Sequence, residues 1–260
     1  MRRDGAQDAN FMTTNEHERT PAFGEALDFL DSGASYHRMR GKLRHMQADL
    51  DGALADFDAA IALDPTFAAA YVDRGITRFL KTDVAGALAD YDMGARLDPR
   101  QPNLRHMRAL ARRAVGDLAG AHEDLCAALN VDGETADIYI DRGRVSMESG
   151  NFAGACADYE RAARLRPGWS QPHSNRGWAL VLAGELDHAL RAFSSALALE
   201  PGDALALYGR QAVATRRKEA ANGQVDIGTA LINDPDIARM MAASGISPIA
   251  DLAEVTSLEP

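Results

Sequence analysis

Six arginines stand 34 residues apart: Arg40, Arg74, Arg108, Arg142, Arg176 and Arg210. Sixteen residues after them come Asp56, Asp90, Asp124, Asp158, Ala192 and Asp226. A ladder of guanidinium groups could bind the phosphates or carboxylates of a partner, or it could take the carboxylates of its own chain. The matching acidic ladder favours the second use. Sixteen residues carry a chain along one helix, round a turn and back, so each arginine faces its aspartate across two antiparallel helices. A planar arginine fork suits a carboxylate at a partly buried site better than lysine does. Arg40–Asp56, Arg74–Asp90, Arg108–Asp124 and Arg142–Asp158 are therefore expected as structural ion pairs. Arg176, opposite Ala192, is expected to be looser or to find another partner.

Nothing else in the sequence gathers into a reactive set. The seven histidines are dispersed, and His37 and His173 fall at equivalent positions where packing is expected. There is no His-x-x-x-His or Cys-x-x-Cys spacing, no phosphate-cradling glycine loop and no nucleophile elbow. The expectation is a non-enzymatic protein with no catalytic residue, cofactor or metal. Cys126 and Cys156 fall within helical patterns and read as free thiols. A net charge of −10 over 260 residues argues against non-specific binding of nucleic acid or membrane by the whole molecule. No apolar run approaches the roughly 18 residues of a membrane span. The opening MRRDGAQDANFMTT has no apolar segment of a secretory signal. A cytoplasmic protein is the expectation.

The elements that must position the two ladders follow the same period. Pro65, Pro99, Pro167, Pro201 and Pro235 lie on one 34-residue lattice, with Gly133 in the remaining slot. Ala53, Ala87, Ala121, Ala155 and Ala189 lie on a second, and Phe57, Tyr91, Leu125, Tyr159, Phe193 and Ile227 on a third. Proline cannot continue a helix, so its lattice marks helix ends. Alanine and glycine let two helices approach closely, and the large residues fill the space between them. A 34-residue period of helical pieces is the mark of stacked helix-turn-helix units. Six units are expected: 34–67, 68–101, 102–135, 136–169, 170–203 and a weaker 204–237. Each holds two helices of about 14 residues. Residues 1–20 read as a disordered tail, 21–33 as an N-terminal capping helix, and 238–260 as a C-terminal capping helix and tail.

Two units carry a family pattern in full or nearly so. One runs Tyr71, Gly75, Ala87, Tyr91 and Pro99; the other runs Tyr139, Gly143, Ala155, Tyr159, Ala162 and Pro167. These residues resemble the tetratricopeptide repeat family. Gly94 departs from it at a usual alanine, and Gln211 and Gly223 break small-residue positions of the last unit. The resemblance implies an all-α, right-handed superhelical solenoid. It also implies that the first helix of each unit lines a concave groove. Arg38, Lys42, Val72, Ile76, Phe79, His106, Leu110, Ile140, Arg144, Met147, Trp178, Leu205 and Tyr208 would then line that groove. The stripe is apolar and rich in methionine where a solvated face would be polar, which points to peptide recognition. It implies a scaffold that binds a peptide or helical segment of another protein, amphipathic and acidic towards the end that meets Arg38. One alternative is a homo-oligomer whose groove is filled by its own kind. Another, weaker one is a polyanion or nucleic-acid binder at the basic N-terminal end, where Arg44, Arg78 and Arg112 lie one turn from the ladder. The lysine and asparagine pair of the family's carboxylate-clamp members is not matched here.

Overall fold

A computed structural model describes residues 33–101 and 103–221, and all regular structure within them is helical. Eleven helices follow one another there. They are α1 (Ala34–Met46), α2 (Leu50–Leu63), α3 (Ala68–Leu80), α4 (Val84–Leu97), α5 (Leu104–Ala114) and α6 (Leu118–Val131). Next come α7 (Ala136–Glu148), α8 (Phe152–Leu165), α9 (Gln171–Leu182), α10 (Leu186–Leu199) and α11 (Ala204–Ala221). The tail and caps expected before residue 33 and after residue 221, and with them Asp226, lie outside the described residues. Odd-numbered helices are the first helices of their units. Each packs on the second helix that follows it, and each second helix packs on the next first helix. Successive first helices also touch, whereas successive second helices hardly do, so the array bends with the first helices on its inner side. The architecture is an all-α superhelical solenoid.

Punctuation recurs at fixed places in the unit. The second helices end at Leu63, Leu97, Val131, Leu165 and Leu199, two residues before Pro65, Pro99, Gly133, Pro167 and Pro201. The turn inside each unit passes through one left-handed residue: Ala48, Thr82, Gly116, Gly150 and Gly184, with φ from 63° to 81°. Glycine reaches that region without a steric cost, so Ala48 and Thr82 hold it under strain that the flanking helices impose. Immediately after the turn, Asp49, Asp83, Asp117 and Asn151 cap the second helix by accepting the amide N–H of Gly52, Gly86, Gly120 and Gly154. A Cβ at Gly52 would lie 2.1 Å from Asp49 Oδ2, so the cap and the glycine require each other.

The core of each unit is a ring laid against a glycine. A Cβ at Gly41, Gly75, Gly143 or Gly177 would come within 2.7, 2.8, 2.5 or 2.3 Å of the ring of Phe57, Tyr91, Tyr159 or Phe193. The third unit has Ala109 at this place, and there the facing residue is the smaller Leu125. Small and large residues thus compensate within one unit, as close packing demands. Ala53, Ala87, Ala121, Ala155 and Ala189 are fully buried between the helices.

Candidate partner-binding surface

Between the two helices of the early units lies a buried carboxylate held by two arginines. Asp56 accepts from Arg40 Nη2 at 2.5 Å and from Arg44 Nη1 at 2.9 Å. Asp90 accepts from Arg74 Nη2 at 2.6 Å and Arg78 Nη1 at 2.8 Å. Asp124 accepts from Arg108 Nη2 at 2.6 Å and meets Arg112 Nη1 at 3.0 Å. Asp158 is held by Arg142 through Nε at 3.0 Å and Nη2 at 2.6 Å. These aspartates are at most 5% exposed. Each pair is side-on, the geometry in which a guanidinium contributes two parallel hydrogen bonds. Hydrogen bonds to Asp56 and Asp158 push the Arg40 and Arg142 guanidinium groups above their ordinary range. The rings of Tyr36, Tyr71 and Tyr139 lie under Arg40, Arg74 and Arg142 with centroids 5.2, 5.4 and 5.3 Å away. The same arginines reach back one unit: Arg74 to Asp58 at 2.6 Å, Arg108 to Asp92 at 3.0 Å, and Arg142 to Cys126 Sγ at 3.4 Å.

A second set of links joins successive first helices. Arg38 Nε donates to Asp73 at 2.6 Å, His106 Nε2 meets Asp141 at 2.7 Å, and Arg113 Nη2 meets Glu148 at 2.6 Å. Arg144 Nη1 also donates to Asp141 at 3.0 Å. Burial raises the Asp73 carboxyl above its usual range, against the pull of Arg38. The basic end expected from the sequence is therefore internally paired: Arg38, Arg44, Arg78, Arg112 and Arg113 all hold carboxylates of this chain. The Lys42 side chain is exposed.

Much of the expected groove lining is core. Val72 is 4% exposed, Ile140 2%, Met147 1%, Trp178 1% and Leu205 8%, so these five are corrections to the reading that placed them on an open face. Trp178 packs edge-to-face on Phe193 with ring centroids 5.6 Å apart. It belongs to one cluster with Ile140, Met147, Val181, Leu205 and Val213, to which Tyr208 adds a partly buried ring. The reason is that α7 and α9 bury most of their circumference, whereas α1 buries only Gly41. Val72 is drawn inward because Gly94 on α4 leaves it room: a Cβ there would meet Val72 at 3.2 Å. Ile76, Phe79, His106, Leu110, Arg144 and Tyr208 are half-buried. Among the described residues of the first helices, the exposed large apolar side chains are Met39 (48%) and Met46 (79%) on α1, Leu80 (57%) on α3 and Leu207 (42%) on α11, while Leu63, Val131, Leu165 and Leu199 are exposed at the ends of second helices.

For the second arginine of each clamp the sequence left a solvated or internally paired stripe as the alternative to anion binding, and internal pairing is what the structure has. Its signal was a spacing of twelve before the aspartate, as in Arg44 and Asp56. The links between first helices had a signal too, a spacing of 35, one period plus one residue. Among the described residues no group of histidine, cysteine and carboxylate side chains could hold a metal ion, and no helix is long and apolar enough to cross a membrane.

The model of a tetratricopeptide repeat family matches residues 38–102 and 106–169. No curated protein sequence matches the chain. Among solved structures, YrrB, described as a TPR protein with an unusual peptide-binding site, is similar with a TM-score of 0.63 and 20% identity. That likeness covers 73% of this chain and 98% of YrrB. MamA from Desulfovibrio magneticus RS-1 is similar with a TM-score of 0.62 and 16% identity, covering 67% of this chain and 98% of MamA. A chain of the APC/C hetero-tetramer Cut9–Hcn1 gives a TM-score of 0.62 at 17% identity, over 91% of this chain and 45% of that one. At these identities the likenesses establish the fold.

Proposed function

Because this chain belongs to the tetratricopeptide repeat family, we propose that it is a non-enzymatic scaffold that binds a peptide or helical segment of another protein along its first helices. The observation that carries this reading is the open surface on α1 and α3. Three large apolar side chains there, Met39, Met46 and Leu80, are about half exposed or more, and Ile76 and Phe79 are half-buried beside them. An array with an ample interior leaves such surface uncovered where a partner covers it. Methionine is flexible and polarisable, which suits an adaptable peptide surface. Lys42 is the exposed cation beside this surface, so the partner segment is amphipathic with an acidic residue towards Lys42. Arg38 has Asp73 and adds no attraction of its own. A cytoplasmic setting belongs to the same reading, and so does the absence of catalysis.

The test is a photo-crosslinking amino acid placed at Met46 or Leu80 in the full chain, with Phe79→Ala as the control. The expected result is a crosslink to a different protein that Phe79→Ala weakens at least tenfold under conditions where circular dichroism shows the variant still folded, since Phe79 also packs on the cluster of Val72, Tyr91 and Leu104. A crosslink only to a second copy, with a dimer by light scattering, would replace this reading with self-association.

A further inference from the structure

The inward stripe of α9 is closed to solvent on a side that flanking first helices leave half-open elsewhere. Ser174, Asn175, Trp178 and Val181 follow one another along it, and each is at most 1% exposed. The same four positions of α5 are His106, Met107, Leu110 and Arg113, and all four are half-buried. α5 has a first helix on either side, as α9 has, and it touches both. α9 touches α11, whereas α7 and α9 approach each other less closely than α3 and α5 do. Flanking helices therefore do not account for the closure, and the stripe has a further cover. Ile140 and Met147 on α7 share that cover: they are 2% and 1% exposed, while His106 and Arg113 at the same positions of α5 are half-buried.

The cover belongs to the chain itself, because this burial arises within a single chain. Residues 1–32 enter the stack at α1, ahead of the first unit. Residues 222–260 follow directly on α11, the neighbour of α9. About ten extended residues span about 30 Å, and neighbouring first helices lie about 10 Å apart, so this segment reaches α9 and α7 with length to spare. It also carries the apolar groups that such a face needs. Ile237, Met240 and Met241 recur three and four residues apart, the spacing that gathers side chains on one side. Methionine shapes itself to an irregular apolar surface.

We infer that the inward face of α7 and α9 is a docking groove whose occupant is this chain's own segment 222–260, with Ile237, Met240 and Met241 lying against Trp178 and Met147. The groove is thus divided: its early part on α1 and α3 is open, and its later part is occupied from within. A tethered segment acts at an effective concentration in the millimolar range, so a free peptide enters the later part only by displacing it. The inference rests on the burial of α7 and α9 and not on the partner surface of α1 and α3.

Two measurements on the full chain test it. In the first, Trp169→Phe leaves Trp178 as the only tryptophan, and Met240→Asp with Met241→Asp is added to the segment. Trp178 emission should then shift to the red and its quenching by iodide should rise several-fold, with helicity by circular dichroism retained. In the second, a benzophenone amino acid replaces Met240 and nothing else is changed. Its crosslinks, mapped by peptide mass spectrometry, should fall on α7, α9 or α11 of the same chain, and a mixture of isotope-labelled and unlabelled copies should give no mixed product. The inference is overturned if Trp178 emission and quenching stay unchanged, if crosslinks fall outside those helices or are absent, or if they join two copies. Should the aspartate variant lose its helices, the crosslink decides, since every core residue is intact there.

Discussion

The first three units and the fifth have the same backbone and hold their two helices together by different means. In units one to three a buried aspartate sits between two arginines, and an aspartate cap starts the second helix. In unit five the aspartate is Ala192, the second arginine is Leu180, and Glu185 makes no side-chain cap. There Trp178 and Phe193 meet ring to ring, and α9 is buried nearly all round. The fourth unit is intermediate, with Asp158 held by Arg142 alone and Ser146 in place of the second arginine. A clamp of charges specifies one geometry and tolerates an exposed outer face. An apolar interior is indifferent to angle but needs cover on every side. That difference is why α1 and α3 leave Met39, Met46 and Leu80 exposed, whereas α7 and α9 expose no large apolar side chain.

Substitutions in the two halves should separate these two kinds of cohesion. The largest effect is expected from Trp178→Ala, which empties the middle of the later core and should cost about 3–5 kcal/mol in denaturant unfolding. A near-wild-type midpoint would mean that the later units are not held by that cluster. Next is Arg142→Ala, which strands Asp158 and should cost about 2–3 kcal/mol. Arg74→Ala should cost only about 1 kcal/mol, because Arg78 still donates to Asp90 at 2.8 Å. Equal losses for the two would show that the second arginine contributes nothing. The caps give a smaller contrast: Asp49→Ala should cost about 1 kcal/mol and Glu185→Ala close to none. The smallest effect concerns pH. Burial and Arg176 lower the His173 pKa, so its neutral form is favoured when folded. The unfolded chain then binds the extra proton first, and stability present above the ordinary histidine value of about 6.5 is lost as pH falls through the folded value. His173→Tyr, which restores the residue of units two and four, should flatten this acid-side loss in melting measured between pH 7 and 5. An unchanged pH profile would assign that loss to other groups.

Helix placement was legible because its signals are local. Proline, alanine and glycine act through backbone sterics and close approach, and their lattices repeat with the period of the fold. The main ion pairs were legible for a related reason, since sixteen residues is a distance within one unit. What the sequence did not yield was exposure. Phe79 and Trp178 both read as apolar groove residues of first helices. One is half-buried, and the other is among the most buried side chains of the molecule. The distinction depends on what the next helices bring, here Phe193 and Leu205, and no periodicity of a single helix encodes that. The same limit applies to Arg38. It looked like a free cation until Asp73, on the next first helix, was placed 2.6 Å away.

Arg74 and Arg108 each hold two carboxylates that belong to different units, Asp90 with Asp58 and Asp124 with Asp92. In a stacked array the stability of a unit and its attachment to a neighbour are ordinarily separate quantities. Here one guanidinium carries both, so a unit that loosens internally also lets go of the unit before it. Along the chain this coupling thins, first where Cys126 offers a thiol to Arg142 and then at Arg176. Cooperativity is therefore graded along the solenoid. The early units should exchange their amide hydrogens as one block, and the later ones should open separately, with added salt narrowing the gap.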